Sequence, residues 1–299
     1  MVHKIKILVD EDSVGIRVDK LLMNRYEAGF PLMQKLIRSK DIKINSKAIS
    51  KPVKLELGDE IEVFANLKIR KTDEKPRDLV PDRKIEEFLS LIIYEDDYLI
   101  AINKPSGLAV QGKSLNRASI DDILHNLRKK GKRFYLVHRL DRDTSGVLLL
   151  AKSKQSAEFL SNCFKRKDIE KTYLALLCGN LTKKSGVINI PLKKKTVGKM
   201  EKVYPDFTDG KEAISNYKLI KNYDDCCLVE FKPITGRTHQ LRVHAKEIGH
   251  PIVGDFKYGG KKAMIREIAD RLCLHAQKIE IQEYFGKNLT VEVEEVDFI

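Results

Sequence analysis

Residues His138 to Gly146, reading HRLDRDTSG, place two carboxylates, two guanidiniums and an imidazole in one short stretch. Apolar runs flank it, Phe134 to Val137 before and Val147 to Ala151 after, and both have the composition of buried strands. A charged segment between two strands is ordinarily a solvated hairpin tip. Here the charges reach right up to the apolar runs, which favours a lined cleft instead. The hydroxyls of Thr144 and Ser145 and the free φ of Gly146 are expected to make the turn. Carboxylates held in a cleft act as general bases or as nucleophiles. Asp141 and Asp143, two apart, would also share a face at a spacing near that of glycosidase carboxylates, so base release by glycoside hydrolysis is one chemistry to weigh.

The elements around this stretch read as follows. Ile92 to Asn103 is strand, turn, strand, ended by Asn103-Lys104-Pro105-Ser106-Gly107 because proline cannot extend a ladder. Ile120 to Leu127 is a short amphipathic helix, and the basic run Arg128, Lys129, Lys130, Lys132 and Arg133 follows it. Ser156 to Phe164 is a helix. Lys171 to Leu177 is a strand that points Tyr173 and Ala175 to one face. Leu192 to Tyr204 carries Lys193, Lys194, Lys195, Lys199 and Lys202 around Gly198 without clear periodicity, and is expected to be a flexible loop that orders on RNA. The strand Cys227 to Phe231 ends at Pro233. A helix then starts near Thr238 as N-cap, buries Leu241, Ala245 and Ile248, and stops at Gly249. Arg237 sits just before that cap, where its side chain can reach across a cleft. Leu289 to Val293 alternates as an edge strand.

The chain of 299 residues carries a net charge of +13, and its basic residues cluster. From Lys35 to Lys54 there are seven of them against one acid, Asp41. Such a pattern predicts a polyanionic partner, with nucleic acid foremost. Two amphipathic helices, Arg17 to Tyr26 and one starting at Pro31, precede small strands at Ile42 to Asn45 and Glu60 to Phe64. Asn66 to Lys84 is charged, proline-containing and poor in apolar residues, as a linker is. The expected organisation is therefore a domain over 1–65, a linker over 66–84 and a large domain over 85–299. The N-terminus lacks the apolar segment of a signal peptide and no run approaches the ~18–20 residues of a membrane span, so a cytoplasmic, membrane-free protein is expected. The five scattered cysteines read as buried thiols, and His239 and His244 do not have metal spacing, so no metal site is predicted.

HRLDRDTSG resembles the catalytic motif of the RluA family of pseudouridine synthases, and the resemblance runs through most of the chain. NKPSG with the preceding YEDD, the K-x-Y at Lys171 to Tyr173, FKPITGRTHQLRVHAKEIGHPIVGD at Phe231 to Asp255, and LCLHA at Leu272 to Ala276 are similar to the family's other motifs. RVDKLL, LIRSKDIKIN and LGDEIEVF resemble an S4 (αL-type) RNA-binding domain. The implied fold is α+β: a catalytic domain with a mixed, mostly antiparallel sheet and a small N-terminal α/β S4 domain. The resemblance implies Asp141 as the catalytic carboxylate, Arg237 as its guanidinium partner, and Tyr173 stacked on the target base. It further implies Arg139 as a wedge in the vacated stack, Leu274 on the floor of the base pocket, and Lys104 and His138 near the substrate. In the small domain Lys35, Arg38, Lys40 and Lys43 are the expected phosphate contacts. Two departures are visible: Lys40 stands where S4 domains commonly have glycine, and Gln111 where relatives usually have histidine.

Making pseudouridine breaks the N1–C1′ bond, turns the base over and joins C5 to C1′. Nothing is oxidised, so no cofactor is expected. A buried carboxylate tends to take up a proton, and a paired arginine opposes that. The subgroup with VHRLDRDTSGVLL implies large-subunit ribosomal RNA as partner, met by a monomer as free RNA or an assembly intermediate. Transfer RNA, a base-releasing glycosylase and a silent RNA-binding protein are the rival readings.

Overall fold

The computed structural model describes residues 4–10, 13–68, 80–112, 118–197, 200–265, 270–293 and 298. The chain forms two compact units, Met1–Asp78 and Leu79–Ile299. Most of the expected linker, 69–79, lies outside the described residues. Its last part belongs to the large unit instead: Val80 is buried in that unit's core, and a helix begins at Asp82, before the expected start at Ile85.

In the small unit the order is β1 (Lys4–Leu8), α1 (Val18–Arg25), α2 (Phe30–Arg38), β2 (Ile42–Ile44), β3 (Lys47–Ala48) and β4 (Glu60–Phe64). The strands form one antiparallel sheet in the order β1-β4-β2-β3. The helical stripes Val18, Leu21, Leu22 and Met33, Leu36, Ile37 meet Ile42, Ile61 and Val63 of the sheet in a shared core. Past α2, Lys40 takes φ of 62°, and the Asp41 N–H closes on Leu36 O at 2.9 Å. This is the left-handed helix ending that glycine usually serves, here accepted by a lysine.

The large unit begins with α3 (Asp82–Leu89), β5 (Ile92–Glu95), β6 (Leu99–Lys104), α4 (Ile120–Lys129), β7 (Tyr135–Leu136), β8 (Ser145–Ala151), α5 (Lys154–Arg166) and β9 (Ile169–Cys178). It continues with β10 (Ser185–Asn189), β11 (Leu192–Val197), β12 (Met200–Pro205), β13 (Ile214–Asn222), β14 (Cys226–Pro233), α6 (Gln240–Glu247), a 3-10 turn (Gly260–Ala263), β15 (Leu274–Tyr284) and β16 (Lys287–Glu292). Its main sheet runs β10-β13-β14-β9-β15-β8-β6-β5, with β7 on β8 and β16 on β15. Every pairing is antiparallel except β8 with β15. Leu99 to Ile102 of β6 and Val147 to Ala151 of β8 are apolar without a break because both sheet faces are covered. Ile100, Ile102, Leu148 and Leu150 pack with α3 and α4, while Leu99, Ala101, Val147, Leu149 and Ala151 pack with α5.

Two local expectations are corrected. Ser145 and Gly146 do not make the turn but open β8. Gly146 has φ of 111°, and a Cβ there would lie 2.2 Å from Ala276 O, so the parallel crossing with β15 is what demands glycine. The lysine-rich segment is a β11–β12 hairpin rather than a flexible loop, since acids answer its lysines: Lys193 pairs with Asp209 at 2.7 Å, Lys194 with Glu201 at 2.5 Å and Lys195 with Asp206 at 3.1 Å. Gly198 and Lys199 lie outside the described residues. All five cysteines are free, and all but Cys178 are fully buried. Among the described residues no helix is long and apolar enough to cross a membrane.

Candidate active site

The loop between β7 and β8 carries Asp141, and it is tied down almost entirely through its backbone. Lys104, fully buried, donates its three ammonium hydrogens to Pro105 O, Leu108 O and Arg142 O, each at 2.9 Å. The Gly107 N–H also reaches Arg142 O at 3.0 Å, and the Ser106 hydroxyl donates to Asp143 O at 2.7 Å. So the NKPSG segment grips the loop from beneath. This corrects Lys104 as a substrate contact: with no exposed surface and its three hydrogens engaged, it is a clamp. Burial pushes its ammonium down to about 8, against the pull of Asp143 and Asp141.

His138 is likewise part of the frame. Its Nε2 accepts the Leu149 N–H at 2.9 Å, and its ring stacks on Phe164 with centroids 4.5 Å apart. Burial, with Lys171 adding to it, pushes the imidazole down to about 3, as an accepting and desolvated ring requires. It holds the loop to β8 through that bond and also lines the cavity described next. Arg139, by contrast, is exposed, with no polar partner among the described residues.

A cavity of about 500 Å³ opens above the loop. Asp141 lines it with its side chain 21% exposed, together with Tyr173 from β9, Leu274 from β15 and the turn from Pro233 into α6. Burial and then the Asp141 charge push the Tyr173 phenol up, so it stays protonated and offers a neutral ring and a hydroxyl. Lys165, Lys167 and Lys171 stand on the same wall.

The cation beside the carboxylate differs from the one expected. Arg237 lines the cavity, but its Nε donates to Glu212 O at 2.9 Å and its guanidinium is exposed. Arg242, one turn further along in α6, is within electrostatic reach of Asp141 and is itself buried. It is held bidentate by Asp255, with Nε to Oδ2 at 2.9 Å and Nη2 to Oδ1 at 2.7 Å, and it lies over the Tyr258 ring at 5.2 Å. The helix start also moves. The N-cap is His239 in the left-handed region at φ 54°, not Thr238. No side chain caps the helix; Gln240 instead ties down the turn before it, accepting from the Arg237 N–H and Thr235 hydroxyl and donating to Ile214 O and Ser215 Oγ. That geometry aims the His239 imidazole at Asp141, with Nε2 3.8 Å from Oδ2. Sequence reading weighed His239 only as a metal ligand and passed over Arg242, since Gln240 to Ala245 are all buried and no polar stripe marks that arginine. The one signal was a second arginine inside the same motif.

Lys35, Arg38 and Lys40 are exposed on the last turn of α2 and just past it in the small unit. Lys43, on β2, is half-buried with its ammonium 5.0 Å from the Phe64 ring centre. None of the four belongs to the cavity.

Known proteins resemble this chain in sequence and in fold. Residues 98–247, half of the chain, match the model of the RNA pseudouridylate synthase family. The protein named ribosomal large subunit pseudouridine synthase C in Rickettsia felis is 42% identical over 96% of this chain and 95% of its own. The protein of that name in Vibrio parahaemolyticus is 36% identical over 92% and 87%. Among solved structures, human RNA pseudouridylate synthase domain containing 4 superposes with a TM-score of 0.60 at 26% identity, over 73% of this chain and 93% of that one. On sequence and fold alike, the chain belongs to the RNA pseudouridylate synthase family.

Proposed function

We propose that this enzyme isomerises uridines of large-subunit ribosomal RNA to pseudouridine, with Asp141 as the reacting carboxylate. The observation that carries the reading is one cavity whose walls hold Asp141, the Tyr173 ring, the apolar Leu274 and buried Arg242. A nucleotide turned out of its stack fits such a volume. Tyr173 stacks on the base, worth ~1–3 kcal/mol, and Leu274 closes the other side. Arg139 fills the place that the base leaves.

The N1–C1′ bond then breaks, the detached uracil turns over, and C5 bonds to C1′. The C5 hydrogen leaves as a proton and N1 gains one, so the product is an isomer. Asp141 supplies the anionic oxygen this needs, as nucleophile at C1′ or as base at the sugar. Arg242 and Lys257 put positive charge within electrostatic reach of it. The small unit, read as an S4-like module, places Lys35, Arg38, Lys40 and Lys43 on RNA phosphates. The names of the relatives support large-subunit ribosomal RNA as the substrate.

Large-subunit ribosomal RNA tritiated at uridine C5 tests this. Tritium is expected in water while the base stays in the chain, and Asp141→Asn is expected to bind the RNA and release none. Turnover by Asp141→Asn, or free uracil as product, overturns the reading.

A further inference from the structure

The His239 imidazole bridges two groups. Its Nε2 is 3.8 Å from Asp141 Oδ2, and its Nδ1 is 2.6 Å from the Tyr258 hydroxyl. That hydroxyl oxygen already accepts the Val203 N–H, at 3.2 Å. A phenol that accepts from an amide still has its own proton to donate, and Nδ1 is the acceptor in front of it. The other tautomer would leave the phenol proton without an acceptor among the described residues. Donation to Nδ1 therefore leaves the imidazole hydrogen on Nε2, the nitrogen facing Asp141. Tyr258 cannot swing away. Its N–H is bonded to Asp255 Oδ1 at 3.1 Å, and Arg242 and Lys202 lie over its ring at 5.2 and 5.3 Å. Burial, Arg242 and Lys257 lower the imidazole's basicity, while Asp141 and Asp255 oppose them. The ring facing the carboxylate is thus a neutral donor.

We propose that His239 and Tyr258 are positioning residues for Asp141: Tyr258 locks His239 in the Nε2–H tautomer, and His239 holds one carboxylate oxygen so that the other meets the sugar. This rests on Asp141 being the reacting carboxylate. At 3.8 Å the contact is longer than a hydrogen bond, and contacts of this kind in unliganded sites commonly tighten when substrate is bound. Val203 lies on β12, so two hydrogen bonds join the lysine-bearing hairpin to the His239 ring that faces the carboxylate.

The test is a double-mutant cycle on tritium release, with urea unfolding of each variant to confirm folding. His239→Ala is expected to lower kcat roughly 10- to 100-fold, the size of a hydrogen bond to a charged group, with KM little changed. His239→Gln, whose amide nitrogen can stand where Nε2 stands, is expected to recover most of that loss. Tyr258→Phe should lower kcat about tenfold alone yet add no further loss to His239→Gln, which has no tautomer to set. Equal effects of Tyr258→Phe in both backgrounds, or no rescue by glutamine, overturn the proposal. Should the alanine variant not fold, the glutamine and phenylalanine variants still decide it. Asp141→Asn is measured beside them. If it turns over, the carboxylate assignment is what fails; if it is silent while the cycle is additive, only the positioning role is lost.

Discussion

Two guanidiniums of one motif, Arg237 and Arg242, have different surroundings, and replacing each with methionine should separate their work. Arg242 and Asp255 are 7% and 0% exposed in their side chains and share two short hydrogen bonds. Methionine at 242 would strand a buried carboxylate whose remaining partners among the described residues are the Lys257 and Tyr258 N–H groups. Breaking a buried pair from one side costs about 3–5 kcal/mol, a large part of an ordinary domain's stability of about 5–15 kcal/mol. The same change takes the buried guanidinium away from Asp141, and loss of a preorganised electrostatic partner costs roughly 10²–10³-fold in kcat. Arg237 is exposed, and among the described residues its side chain makes one hydrogen bond, to Glu212 O. Its loss should cost less than about 1 kcal/mol. As it lines the cavity mouth, its removal should raise KM a few-fold and leave kcat nearly intact. Urea unfolding gives the stability of each variant, and tritium release under saturating RNA gives kcat per folded molecule. A folded Arg237→Met enzyme without turnover, beside an Arg242→Met enzyme that keeps it, would refute this assignment.

Two further outcomes are expected. The His138 imidazole accepts a hydrogen bond as a neutral ring, with its folded-state value at about 3 against 6.5 for an ordinary histidine. The unfolded chain binds that proton first, so the stability it confers is complete above about pH 6.5 and is lost as pH falls towards 3, by about 1.4 kcal/mol per unit. His138→Gln keeps an acceptor for the Leu149 N–H, so its unfolding free energy should fall with acid less steeply by that amount; an unchanged slope would speak against a neutral His138. Gly146→Ala should destabilise the large unit by roughly 3–5 kcal/mol, since a Cβ at φ of 111° would meet the Ala276 backbone at 2.2 Å. A urea midpoint within error of the parent would mean that β8 and β15 can part there without cost.

How far the chain could be read before folding depended on whether its neighbours in sequence are its neighbours in space. Strand β8 was legible because a run buried on both faces leaves no polar alternation, and the ending of β6 because proline follows Lys104. The small unit's helices showed their stripes plainly. Lys104 was misread because a lysine ordinarily seeks solvent, and the carbonyl that uses its charge, Arg142 O, comes from 38 residues away. Arg242 hid for a related reason. Its role depends on Asp255 beyond the end of α6 and on a left-handed His239 at the start, which turn the helix relative to the loop. The β11–β12 hairpin escaped notice because its side chains do not alternate in polarity. Its lysines are instead matched to Glu201, Asp206 and Asp209, a pattern visible only once the two strands are in register.

What would suit the β7–β8 loop to the proposed chemistry is the division between its backbone and its side chains. The carbonyls of Asp141, Arg142 and Asp143 are taken by the Thr144 N–H, by the Lys104 ammonium with the Gly107 N–H, and by the Ser106 hydroxyl. A loop fixed through its main chain does not need the Asp141 carboxylate to hold it in place. Among the described residues that carboxylate accepts no hydrogen bond, and its nearest cation-capable neighbour stands at 3.8 Å. Its oxygens remain open to a sugar, while reorganisation on binding is confined to the side chain. Had Asp141 secured its own loop, as Asp96 does by accepting the Tyr98 and Leu99 N–H groups and the Tyr284 hydroxyl, its lone pairs would already be spent on the fold.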